Sequence, residues 1–204
     1  MTGYFLRGLT LGMSAMAMPG PFQAFLLAQA LKNGWRRTLP AALAPLVSDG
    51  PVVALVLLVL TQMPDWFLAG LRLAGGLFML YLAWGAWQAT KVNTSDLKPN
   101  EATGQNFFKA ALMNALSPGP YLFWSILAGP LIIEGWRQSP LVGLSFVLGF
   151  YLTLIGGFAV FIILSGTASR LGPQVNRVLS AISALALLGF GLYQLGLGVG
   201  SWLG

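Results

Sequence analysis

The sequence predicts an all-α integral membrane fold: six transmembrane helices in two inverted three-helix repeats, with broken first and fourth helices. Three observations carry this expectation. The 204 residues are 56% hydrophobic and only 8% charged, against roughly 25% charged in an ordinary soluble domain. The stretches Gln138 to Ser169 and Val178 to Gly204 contain no Lys, Arg, Asp or Glu, and each exceeds the roughly 20 residues needed to cross a bilayer. Two short motifs also return in the same order about 100 residues later. Met18-Pro19-Gly20-Pro21-Phe22 recurs as Ser117-Pro118-Gly119-Pro120-Tyr121, and Gly34-Trp35-Arg36 as Gly135-Trp136-Arg137.

Apolar windows bounded by charges and turn residues delimit the six elements. The first runs from Phe5 to Leu31, is interrupted by Pro19-Gly20-Pro21, and ends at Lys32 and the Gly34-Trp35-Arg36-Arg37 turn. Leu39 to Gln62 is the second, with Asp49 about ten residues into it. The third, Trp66 to Ala89, carries Arg72 near its start and ends at a polar stretch rich in Asn, Ser, Asp, Pro and Gly, which reads as a linker. Phe107 to Ile133 is the fourth, interrupted by Pro118-Gly119-Pro120 and followed by Gly135-Trp136-Arg137. Pro140 to Ser165 and Val178 to Val199, the fifth and sixth, lie inside the two uncharged stretches. The organisation expected is a first repeat over residues 1–90, a cytoplasmic linker over 91–106, and a second repeat over 107–204.

Three spans per half turn the second copy upside down. The odd-numbered connections hold Lys32, Arg36, Arg37, Lys91, Lys98, Lys109, Arg170 and Arg177, whereas Arg7, Arg137 and Arg72 are the cations left for the opposite side. The positive-inside rule makes the basic connections cytoplasmic and both termini extracytoplasmic. It also accounts for the net charge of +6 without nucleic acid as a partner. Trp35, Trp66, Trp87, Trp136 and Trp202 fall near span ends, where indoles anchor at the interface. Glycines such as Gly8 with Gly12, Gly75 with Gly76, and Gly189, Gly191, Gly196 and Gly198 permit close helix approach.

With no cysteine and no histidine, thiol relays, Cys or His metal sites, haem ligation and histidine acid–base chemistry are excluded. No enzymatic activity, cofactor or metal is expected. Proline inside a membrane helix removes a backbone donor and leaves carbonyls that need another partner. Two such breaks at matching places of an inverted repeat suggest a solute or ion site at the repeat interface, as in secondary transporters. That places Pro19, Gly20 and Pro21 with Gln23, and Pro118, Gly119 and Pro120 with Asn114, Ser117 and Tyr121, in the expected pathway. Ser48 and Asp49 join them, because Asp49 is the one acid deep in an apolar segment. Its carboxylate must be paired or take up a proton, as in a proton-coupled carrier, or it caps a helix break before Gly50 and Pro51. Arg72 pairs with Asp49, holds a substrate carboxylate, or snorkels to the interface.

The early Met-Pro-Gly-Pro, the Gly-Trp-Arg-Arg turn, the intramembrane Asp49-Gly50, and a second half opening with Phe107-Phe108-Lys109 and Asn114-Ala115-Leu116-Ser117-Pro118-Gly119-Pro120 together resemble the LysE/RhtB translocators. The resemblance covers nearly the whole chain. It implies a small inner-membrane exporter of amino acids or similar small polar metabolites, driven by protons, with Pro19, Gly20, Pro21 and Asp49 at the family's positions. The family's second motif begins Asn-Pro, where this chain has Ser117-Pro118. The partners expected are a small polar solute, protons and the lipid bilayer, with a homodimer as one possible assembly. The rival function is a non-transporting membrane scaffold or assembly protein, which needs larger loops than the residue 91–106 linker. A channel needs a more polar helix face than this sequence offers.

Overall fold

The computed structural model describes residues 1–18, 20–59, 65–91, 103–168 and 172–203, and among them every regular element is helical. In chain order these are α1 (Thr2–Ala17), α2 (Pro21–Asn33), α3 (Trp35–Thr38), a 3-10 turn (Leu39–Leu43), α4 (Ala44–Val59), α5 (Asp65–Lys91) and α6 (Thr103–Leu116). There follow α7 (Pro118–Phe123), a π-helical turn (Trp124–Ala128), α8 (Gly129–Gln138), α9 (Pro140–Ala168) and α10 (Pro173–Leu203).

Among the described residues, three helices are long and apolar enough to cross a membrane, within α5, α9 and α10; a fourth span results if α1 and α2, bent by 67°, are one crossing. Of the other two predicted spans, the second is a 3-10 turn running into α4, which is described to Val59, and the fourth is a series of shorter pieces, with prolines at the starts of several of these elements. Pro40 opens the 3-10 turn ahead of α4, and Pro118 and Pro130 sit at the first turns of α7 and α8, where a missing N–H is least harmful. The π turn follows from Pro130. Pro130 cannot donate to the carbonyl of Ile126, and the ladder lengthens there, Gly129 N–H bonding the carbonyl of Trp124 five residues back. Most of the predicted linker lies outside the described residues, but α6 begins at Thr103, so its last residues are helical.

The repeated Gly-Trp-Arg triads differ in backbone. Gly34 ends α2 at φ 80°, a left-handed conformation that suits glycine, while Gly135 lies inside α8. Two seams are tight. A side chain at Gly8 would strike the Phe146 carbonyl, one at Gly12 that of Phe150, and one at Gly149 that of Phe5, so α1 and α9 meet backbone to backbone. On α5 and α10, Gly76 and Gly191 each abut the other's carbonyl, at 2.9 and 3.1 Å from an added Cβ. Gly189 and Gly196, expected to act likewise, have nothing within 4 Å.

α9 is apolar all round yet two-faced. Phe146, Phe150, Leu154, Phe158 and Ile162 recur every four residues and are buried, while Leu144, Leu148, Leu152, Val160 and Leu164 are exposed. Such a stripe of exposed aliphatics suits hydrocarbon rather than water. α1 packs chiefly on α9, α4 on α6, and α5 on α10.

Candidate functional site

Asp49 is the centre of the best-built polar site. Pro51 sits inside α4 without breaking it, so Asp49 lies mid-helix and not at a helix start, against the capping alternative. Its carboxylate is bonded across helices. Asn114 on α6 donates its amide N–H to Asp49 Oδ1 at 2.7 Å and to Ser48 Oγ at 2.8 Å. Ser48 Oγ in turn donates to the Ala44 carbonyl at 2.9 Å. Tyr151 on α9 donates its hydroxyl to Asp49 Oδ2 at 3.1 Å, and Trp124 in the π turn lies near the same carboxylate. Asp49 is only 3% exposed, and Ser48 and Asn114 are buried beside it.

These donors are all neutral. A carboxylate has about four acceptor sites, so the two donors Asn114 and Tyr151 orient it without cancelling its charge, and no described partner of Asp49 is a cation. The Cβ of Arg72 lies against Gly198 of α10. Tyr151 and Trp124 belong to an aromatic cluster. Trp124 and Tyr151 lie 6.5 Å apart, Phe150 stands edge-on to both at 5.4 and 5.1 Å, and Phe123 stacks on Phe150 at 5.3 Å. A buried anion whose partners are neutral attracts a proton or an organic ammonium group.

The remaining expected site residues mostly repair the helix breaks. Pro19 lies outside the described residues. Gly20 is extended and precedes Pro21, the first residue of α2. Gln23 donates its side-chain amide to the Met16 carbonyl, which the break leaves free. At the second break, Ser117 is extended, Pro118 opens α7, and Pro120 follows within that helix. Ser117 Oγ donates to the Met113 carbonyl at 2.7 Å and Tyr121 to that of Ala115 at 2.9 Å. Gly119 meets nothing within 4 Å of an added Cβ. The first break packs on α9, with Phe22 against Phe158 at 5.0 Å, while Asn114, just before the second, bonds α4. The structure therefore brings Ser48, Asp49 and Asn114 together, and Gln23, Ser117 and Tyr121 serve backbone carbonyls.

Two site residues escape sequence reasoning, Trp124 and Tyr151. Each carries a polar tip in the middle of an apolar run, and a buried indole or phenol needs a hydrogen-bond partner. That was the available signal. Of the expected interfacial anchors, Trp87 and Trp136 are exposed, Trp35 lies under Arg36 at 5.3 Å, and the side chains of Trp66 and Trp202 lie outside the described set.

A family model described as LysE type translocator matches residues 13–197. Neither a curated protein nor a solved structure matches the chain.

Proposed function

The chain belongs to the LysE type translocator family, a multi-pass membrane transporter, and on that premise we propose that it exports amino acids or similar small polar metabolites across the inner membrane in exchange for protons. The observation that carries this reading is the Asp49 carboxylate, buried and held by neutral donors from two other helices. Leaving such a charge unpaired at the bilayer centre costs roughly 2.5 to 3.5 kcal/mol on insertion scales. A proton or a substrate ammonium relieves that cost, and alternation between the two is antiport. In one orientation Asp49 holds the ammonium; in the other it exchanges a proton with the outside.

Two inverted halves, residues 1–90 and 107–204 joined by 91–106, supply the two orientations. Helix pairing supports the duplication. Under the repeat the first span corresponds to the fourth, the second to the fifth and the third to the sixth. The α1–α9 contact is first on fifth and the α4–α6 contact second on fourth, so the two exchange under that correspondence. The α5–α10 contact, third on sixth, maps onto itself. In this arrangement Pro19 to Pro21 and Pro118 to Pro120 face a common pathway, with Gln23, Ser117 and Tyr121 holding its backbone open.

Counterflow in proteoliposomes, run against a solute panel, tests the substrate class. Zwitterionic amino acids or small amines should drive uptake of labelled solute, and the matching carboxylic acids without an ammonium group should not. Counterflow by ammonium-free acids or sugars alone would remove Asp49 from substrate recognition.

A further inference from the structure

Two polar contacts join distant parts of the chain at opposite ends of the bundle, and neither belongs to the Asp49 site. At one end Asn33, the last residue of α2, donates its side-chain amide to Asn106 Oδ1 on α6 at 3.1 Å and to Gln29 Oε1 at 2.7 Å. All three residues are buried. At the other end Gln138, the last residue of α8, donates its amide to the Tyr4 hydroxyl on α1 at 3.0 Å. The Tyr4 ring lies on Gly135, 3.2 Å from where a Cβ would stand.

α9 fixes how far apart these contacts are. Gly143, near its start, packs against Trp136 and Gly135, and Gly166, near its end, packs against Trp35, two residues past Asn33. At roughly 1.5 Å per residue the two glycines stand about 35 Å apart along the helix. Asp49 lies between. Its partner Asn114 is two turns along α6 from Asn106, and its partner Tyr151 is two turns along α9 from Gly143, about 12 Å in each case. The duplication relates the two contacts. α1 corresponds to α6, since each runs into a Pro-Gly-Pro break, and α2 corresponds to the stretch from α7 to α8, since each runs from that break to a Gly-Trp-Arg triad. The α2–α6 contact therefore maps onto the α8–α1 contact.

Resting on the reading of the chain as an alternating transporter, we propose that Asn33 with Asn106 and Tyr4 with Gln138 are its two gates, which close Asp49 off at either end and open in turn. Both are closed here, in keeping with an Asp49 that is 3% exposed. A neutral hydrogen bond favours the closed arrangement by only about two- to ten-fold, so each gate can open once per transport cycle.

Thiol labelling tests the gates with no solute present, because the chain has no cysteine of its own. Ser48→Cys places a reporter beside Asp49, and an impermeant thiol reagent is applied to each face of the membrane in turn. Asn106→Ala should raise the labelling rate from one face about two- to ten-fold and lower it from the other, and Gln138→Ala should do the reverse. Shifts of the same sign at one face, a shift in only one variant, or none overturn the proposal. Cross-linking decides if the reporter or an alanine variant does not fold. Asn33→Cys with Asn106→Cys, and Tyr4→Cys with Gln138→Cys, should each exchange solute until joined by a short bifunctional maleimide, while the four single variants continue after the same treatment. Exchange that persists through either cross-link marks a fixed contact and overturns the proposal. Opposite labelling shifts in a protein that exchanges no amino acid or amine would keep the gates and remove the assigned substrate class instead.

Discussion

Asp49 was legible as an anomaly because one acid in a long apolar window has few structural reasons to be there. Ser48 and Asn114 were legible as polar neighbours of that acid and of the second break. Their union was not, since Asn114 lies 65 positions from Asp49 and Tyr151 lies 102 positions away, and nothing local in the sequence encodes that pairing. Asn114→Ala removes the donor shared by Ser48 and Asp49, and leaving a buried acceptor short of a donor costs about 1 to 3 kcal/mol. The variant should insert but unfold at a lower temperature in detergent and lose most of its transport. Tyr151→Phe keeps the ring and loses one hydroxyl, so its stability should fall by about 1 kcal/mol. A Tyr151→Phe protein that transports like the wild type at every pH would show that the phenol only packs.

The elements follow the pattern of prolines and glycines more closely than the pattern of apolarity. Both Pro-Gly-Pro motifs open a new helix, as expected, but at different prolines, Pro21 in the first and Pro118 in the second. The π turn was not anticipated. Its residues Trp124 to Ala128 contain neither proline nor glycine, and its cause, Pro130, lies just beyond them. Glycine had to be sorted by contact, because spacing alone does not tell a seam from a lipid-facing position. α9 offers a direct comparison. Gly149→Ala would drive a methyl into the Phe5 carbonyl, whereas Gly156→Ala meets nothing within 4 Å. Overpacking costs about 1 to 3 kcal/mol, so Gly149→Ala should lower the thermal midpoint clearly while Gly156→Ala leaves it unchanged or raises it. Equal midpoints for the two variants would mean that α1 and α9 do not meet as closely as described.

For the whole molecule, composition sufficed for the class. Among the described residues, three of the six expected spans appear as single apolar helices and a fourth as a bent pair, while proline divides the Phe107–Ile133 span into shorter pieces and α4 is described only to Val59. Topology follows from charge. A chain without cysteine is a clean background for labelling, so Ser95→Cys in the linker should react with an impermeant maleimide only after cells are opened, and Thr2→Cys should react from outside. The reverse pattern would invert the orientation. The alternation of proton and ammonium on one carboxylate is tested most directly by efflux from proteoliposomes under an imposed pH gradient with purified Asp49→Asn. The amide keeps the shape and removes the ionisable oxygen, so folded protein is expected with pH-driven efflux abolished and at most residual solute exchange. Asp49→Asn transporting at the wild-type rate, with the wild-type pH dependence, would contradict a coupling role for Asp49.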